Sequence, residues 1–196
     1  MPRGETPAWM KPPRAIDVTI GAIGFAAAAA SIWAWPATGG LLGAGLALVM
    51  LAIAVIDARY FIIPDELTIA ALALAALNAA LVDSPSPIEG IIDAVLRGAL
   101  TMLFFWSVRR LYKRLRGREG LGLGDVKLAF VAGVWLDWIM IPVAVEIAAV
   151  AALAAYGVWR AMGKRPLNTK SRLPFGLFFA PAIWLTWFLS AIVAVF

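Results

Sequence analysis

Apolar stretches close to the length of a membrane span, separated by short polar turns, recur from residue 16 to the end of the chain. A helix of roughly 20 residues crosses a hydrocarbon core ~30 Å thick. The pattern predicts seven helices. The first covers 16–35 and is ended by Pro36 and a Gly39-Gly40 turn. The second covers 41–57, the third 65–82, and the fourth 88–111, after the turn Ser84-Pro85-Ser86-Pro87. The fifth, 125–138, is short, which points to a tilted, half-buried or broken span. Pro142 opens the sixth, 142–161, and the seventh runs over 174–196.

Composition agrees with that solvent. Of 196 residues, 63% are hydrophobic and only 15% charged, against roughly half and a quarter in soluble domains. No stretch between the spans is large enough for a soluble core of its own. The expected fold is therefore all-α, a polytopic integral membrane bundle of six to seven helices. Residues 1–15 form a tail and 16–196 one membrane-embedded domain. The basic start and the apolar run after it imitate a signal peptide. That run is too long, however, and Trp33 and Trp35 spoil the small-residue cleavage pattern.

The net charge of +5 sets orientation rather than attraction to nucleic acid. Basic residues gather in the tail (Arg3, Lys11, Arg14), in the loop from Arg109 to Arg118, and between Arg160 and Arg172 with Lys164, Arg165 and Lys170. The intervening turns carry Asp83, Glu89 and Asp137. Positive-inside logic places the N-terminus in the cytoplasm and the C-terminus outside, which an odd number of spans satisfies. The basic loop also suits anionic lipid. Cysteine and histidine are both absent, which excludes disulfides, thiolate zinc sites, thiol catalysis and His-based triads. Any hydrolysis falls to carboxylates, hydroxyls or lysine, with no metal or cofactor expected.

Two carboxylates stand out, because this topology puts both at the inner side. Asp57 follows the run Leu51-Ala52-Ile53-Ala54-Val55-Ile56, and Asp125 sits in Gly120-Leu121-Gly122-Leu123-Gly124-Asp125-Val126-Lys127. Each has a structural alternative. Asp57 can be a helix-end charge paired with Arg59, and Asp125 can cap the helix it opens. The glycines permit close backbone approach and positive φ; no P-loop pattern is present. Held together, two such carboxylates cannot both ionise comfortably and share one proton. The ionised partner then takes a proton from water while the protonated one polarises a scissile carbonyl. Such a pair titrates in two macroscopic steps that belong to neither residue alone.

The segment Asp57-Ala58-Arg59-Tyr60-Phe61-Ile62-Ile63-Pro64-Asp65-Glu66-Leu67-Thr68 resembles the first active-site motif of type IV prepilin peptidases. Gly122-Leu123-Gly124-Asp125-Val126-Lys127-Leu128 is similar to their second, the Gly-x-Gly-Asp signature of membrane aspartyl proteases. Gly117-Arg118-Glu119-Gly120 and Leu173-Pro174-Phe175-Gly176 also resemble family elements. The likeness covers residues 51–196, with the motifs in the expected order. It implies a bacterial inner-membrane endopeptidase that removes the basic leader of prepilin or pseudopilin substrates at the cytoplasmic face, cutting after a glycine that precedes an apolar helix. It assigns catalysis to Asp57 and Asp125. Pro64, Asp65, Gly122, Gly124, Lys127, Pro174, Phe175 and Gly176 become supporting or substrate-binding positions. Asp65 can also be an N-cap for the third span, and Lys127 either tunes a neighbouring carboxylate or snorkels. Bifunctional members add a Cys-x-x-Cys domain and methylate the trimmed product; without cysteine, peptidase activity alone is expected. Leu177 stands where many relatives carry proline and is given little functional weight.

Arg97 and Glu146 fall inside predicted spans, where charge is expensive unless paired; a mutual ion pair is the default expectation. The small residues of 26–30 and 40–45 suit close helix packing. The competing functions are a small transporter or channel, or a related protease such as a preflagellin peptidase. Transport favours ionisable groups near the midplane or on broken helices, whereas the two best carboxylates here share one face.

Overall fold

The computed structural model describes residues 15–35, 37–81, 86–117, 120–162 and 174–195. Seven helices are described: α1 (Ala15–Ala34), α2 (Thr38–Tyr60), α3 (Asp65–Leu81), α4 (Pro87–Arg116), α5 (Leu123–Trp135), α6 (Met140–Ala161) and α7 (Gly176–Val195). Together they make a polytopic helical membrane bundle. The basic groups Arg3, Lys11, Arg14, Arg118, Lys164, Arg165, Lys170 and Arg172, with Asp83 and Leu173, lie outside the described residues.

Each predicted span is present, and the boundaries move for local reasons. Gly39 and Gly40 do not form the first turn. They lie in the opening turn of α2, after Ala37 at φ 71°. Gly40 is needed for proximity, since a β-carbon there would run into the Trp35 carbonyl. The stretch after Leu111 is not a loop. It holds no helix breaker, so α4 continues to Arg116 and stops at Gly117, whose φ of 66° suits glycine. At 30 residues, α4 is roughly 45 Å long and carries its basic last turns beyond a ~30 Å core.

Among the described residues, four helices, α2, α4, α6 and α7, are long and apolar enough to cross a membrane by themselves. The short α5, with 13 residues, is not a defect in the pattern. Nearly every side chain from Val126 to Leu136 is buried, because α3, α4 and α7 pack around it. Protein shields this helix from lipid, so it need not match the bilayer. Small residues set the spacing, as close packing in membranes requires. A β-carbon on Gly133 would lie 2.7 Å from both the Arg97 carbonyl and the Gly98 Cα. One on Gly43 would enter the ring of Trp187 on α7. Trp135 Nε1 donates to the Ala71 carbonyl at 3.0 Å, which ties α5 to α3.

The expected Arg97–Glu146 pair does not form. Helices α4 and α6 do not pack closely, and the ion-pair partners of Arg97 are carboxylates other than Glu146. Buried Arg97 instead pairs with Asp93, one turn earlier on its own helix, and lies 3.9 Å from Asp137. Its Nε donates to the Gly133 carbonyl at 3.4 Å. Glu146 is exposed on the flank of α6.

Candidate active site

Asp57 lies in the last turn of α2 and Asp125 in the first turn of α5. They are at the same end of the bundle, and the Asp57 charge is felt at Asp125. Both are nearly enclosed, at 6% and 8% exposure. Neither is a surface helix-end charge.

Each carboxylate is held by the start of a helix. Helix α7 follows Pro174 and Phe175; the Phe175 carbonyl accepts from Phe178 N–H at 3.0 Å and Phe179 N–H at 2.9 Å. The N–H groups of Gly176 and Leu177 have no acceptor within the helix, as in any first turn. Asp57 supplies one. Leu177 N–H donates to Asp57 Oδ2 at 2.9 Å, and the Gly176 amide also bonds to this carboxylate. Asp125 does the same service for its own helix, accepting from Gly122 N–H at 3.1 Å through Oδ2. The capping role considered for Asp125 is therefore real, and it coexists with burial beside a second carboxylate.

The glycines serve proximity and not unusual dihedrals. Gly122 has φ −70°, and among described glycines only Gly117 has positive φ. A β-carbon on Gly124 would lie 3.1 Å from the Ile63 side chain. On Gly176 it would lie 2.8 Å from Asp57 Oδ2 and 3.0 Å from Ile63 Cδ1. Buried Ile63 is thus wedged between Gly124 of α5 and Gly176 of α7. The sequence places Ile63 inside the first motif but assigns it no role of its own. Its signal is visible only once Gly124 and Gly176 are read as contact sites. Sequence reasoning also passed over the Leu177 amide, although proline at that position would carry no N–H.

The other candidate residues surround this centre. Lys127 Nζ lies 2.5 Å from Asp65 Oδ1, so its partner is Asp65 on the first turn of α3. The pair ties α5 to the segment that follows Asp57. The Pro64 carbonyl accepts from Thr68 N–H at 3.2 Å and Thr68 Oγ1 at 3.0 Å, which closes the start of α3. Arg109 Nε on α4 donates to the Leu121 carbonyl at 3.0 Å and steadies the loop before Asp125. No cluster of three or more potential metal ligands occurs among the described residues. Two enclosed carboxylates in electrostatic contact can share a proton, and that is general acid–base equipment without a metal.

Fold and site together define a polytopic helical membrane protein with a carboxylate pair at one end of the bundle. Residues 44–158 match the model of the type IV leader peptidase family, and the chain belongs to that family. The matched segment contains Asp57, Ile63, Asp65, Asp125 and Lys127, and ends before Pro174. A prepilin leader peptidase/N-methyltransferase of Burkholderia pseudomallei (strain K96243) is 35% identical over 147 residues, 74% of this chain and 45% of that protein. That of Dichelobacter nodosus is 36% identical over 155 residues, 76% of this chain and 50% of the other. That of Aeromonas salmonicida is 30% identical over 167 residues, covering 81% and 55%. The chain spans about half the length of these relatives. No solved structure matches it at a significant level.

Proposed function

We propose that this chain is a membrane aspartyl endopeptidase that removes leader peptides from prepilin or pseudopilin substrates at the cytoplasmic face of the bacterial inner membrane. The observation that carries the proposal is the pairing of Asp57 and Asp125, both nearly enclosed and each anchored by backbone amides at a helix start. In the mechanism, the pair holds one proton. The ionised carboxylate removes a proton from water, and the resulting oxygen attacks the scissile carbonyl, which the protonated partner polarises. Collapse of the tetrahedral intermediate breaks the C–N bond, and a carboxyl proton passes to the departing amine. Ionised side-chain oxygens bonded to fixed amides stay in place through this cycle, so little reorganisation is required.

Orientation is supported by Arg110, Lys113, Arg114 and Arg116, exposed on the end of α4 that lies beside the Asp125 loop. Names of the relatives support a prepilin-type substrate. Methyl transfer is left out of the proposal, since the 196 residues contain no cysteine. Pro64, Asp65, Gly122, Gly124, Lys127, Pro174, Phe175 and Gly176 act as supports that fix the two carboxylates.

The test is co-expression with a prepilin, comparing the native enzyme with Asp57→Asn and Asp125→Asn by gel shift and by mass spectrometry of the product. Native enzyme is expected to yield an unmethylated mature N-terminus, and both variants are expected to leave the precursor intact while inserting normally. Cleavage that survives either substitution removes the pair from the mechanism.

A further inference from the structure

We infer that the open groove between α4 and α6 seats the apolar membrane helix of the substrate, the part that follows the cut bond. This inference rests on the peptidase proposal above. Helices α4 and α6 do not pack against each other; between them lies a cavity of about 490 Å³. Leu100, Phe104 and Phe105 wall it on α4, with Val145, Glu146 and Ala149 on α6.

Depth is the first argument. Arg97 meets Gly133, and Arg109 meets Leu121; twelve residues along α4 thus correspond to twelve back along the facing chain. In that antiparallel register Phe105 stands opposite Asp125. The groove begins at the level of the carboxylates and continues to Ile141, near the start of α6 at the other end of the bundle. A helix whose N-terminal flank is cut at the carboxylates must run the same way.

Continuity is the second argument. The Phe105 ring stacks on Phe179 with centroids 5.7 Å apart, and Phe179 lies 5.3 Å from Phe175. Phe175 precedes Gly176, which touches Asp57. One aromatic row therefore joins the inner end of the groove to the site.

Glu146 supplies the third argument. It faces the groove and has no hydrogen bond or ion pair among the described residues. An intramembrane carboxylate facing hydrocarbon is costly, and acyl chains offer it no donor. A helix carrying a hydroxyl, amide or ammonium side chain at this depth does. The occupant is accordingly an apolar helix with one donor facing Glu146.

The experiment places benzoylphenylalanine singly at Phe104 and Val145 in the full-length Asp125→Asn enzyme, reconstituted in nanodiscs with a full-length prepilin. Phe25 on α1 and Val150 on α6, both exposed outside the groove, serve as control positions. Irradiation is expected to give prepilin adducts from the two groove positions at least fivefold above the controls. Adducts with lipid only, with a second copy of the enzyme, or at control level overturn the inference. In parallel, Ala149→Trp in the otherwise native enzyme is expected to raise KM for full-length prepilin at least fivefold with kcat within twofold, while Val150→Trp changes neither. An unchanged KM for Ala149→Trp also overturns it. Failure of the native enzyme to cleave prepilin sinks the peptidase proposal, and the groove assignment with it. Native cleavage with control-level adducts sinks the groove assignment alone.

Discussion

Gly176→Ala puts the contact between α7 and Asp57 under direct strain. The new β-carbon would lie 2.8 Å from Asp57 Oδ2, 3.1 Å from Asp57 Cγ and 3.0 Å from Ile63 Cδ1. Comfortable heavy-atom contacts are at about 3.5 Å, so the carboxylate or the start of α7 must give by roughly half an ångström. Backbone conformation adds no penalty, because Gly176 is not among the residues with positive φ. Moving the carboxylate stretches its 2.9 Å bond from Leu177 N–H. A hydrogen bond to a charged group contributes about 1.5–3 kcal/mol, and each ~1.4 kcal/mol is tenfold in rate. A loss of kcat between about 10-fold and 100-fold follows, which agrees with the ~100-fold typical of an ångström-scale misplacement. KM should hold, since no substrate contact is altered. The assay is initial-rate cleavage of prepilin by reconstituted enzyme, with Gly157→Ala as control because nothing lies within 4 Å of its added carbon. Ile63→Val removes the crowding Cδ1 and is expected to restore several-fold activity to the Gly176→Ala enzyme. A Gly176→Ala enzyme that inserts normally and keeps kcat within twofold refutes the proposed contact.

Three further outcomes follow from the packing. Gly43→Ala drives a methyl into the Trp187 ring and is expected to destabilise by about 1–3 kcal/mol, read as an earlier thermal unfolding midpoint in detergent; an unchanged midpoint contradicts the tight α2–α7 seam. Arg97→Met strips a donor from the Gly133 carbonyl and leaves Asp93 and Asp137 without their cation; a loss of about 1–3 kcal/mol is expected, with kcat of the surviving protein within twofold. Lys127→Met breaks a pair whose side chains are 44% and 66% exposed, so the effect is at most about 1 kcal/mol, or under tenfold in rate. The exchange Asp65→Lys with Lys127→Asp is expected to recover most of that loss, and failure to recover argues for a role beyond tying α3 to α5.

The helices were legible because apolar runs and breakers are local signals. Pro87 and Gly117 bound α4 as such residues should, and Leu111 to Arg116 contain nothing to stop a helix. Adjacency was not legible. The expected partner for Arg97 was another intramembrane charge, yet the actual one, Asp93, lay four residues away on the same helix, where an i,i+4 rule finds it. The candidate site divides the same way. Asp57 and Asp125 are visible as carboxylates at span ends, but the bond between Leu177 and Asp57 joins residues 120 apart in sequence. No periodicity encodes that. The burial of Ile63 between Gly124 and Gly176 is equally non-local, since it needs three chain segments to converge.

Because each carboxylate closes a helix, fold and chemistry are coupled at the same two atoms, and substitutions must be chosen to separate them. Asp→Ala removes the acceptor for the first-turn amides and loosens α5 or α7, a loss of about 1 kcal/mol or more at a helix start. Inactivity of an alanine variant therefore says little about acid–base chemistry. Asparagine keeps a side-chain oxygen that accepts the same N–H bonds, and it is as good a cap as aspartate, but it can neither take nor give the shared proton. A folded, inserted, inactive asparagine variant at both positions is the pattern that a proton-sharing pair demands. The same coupling gives Pro174-Phe175-Gly176 its place in the site. The segment contributes no acid or base, yet it starts the helix whose amides fix Asp57, so the geometry of one carboxylate depends on where α7 begins.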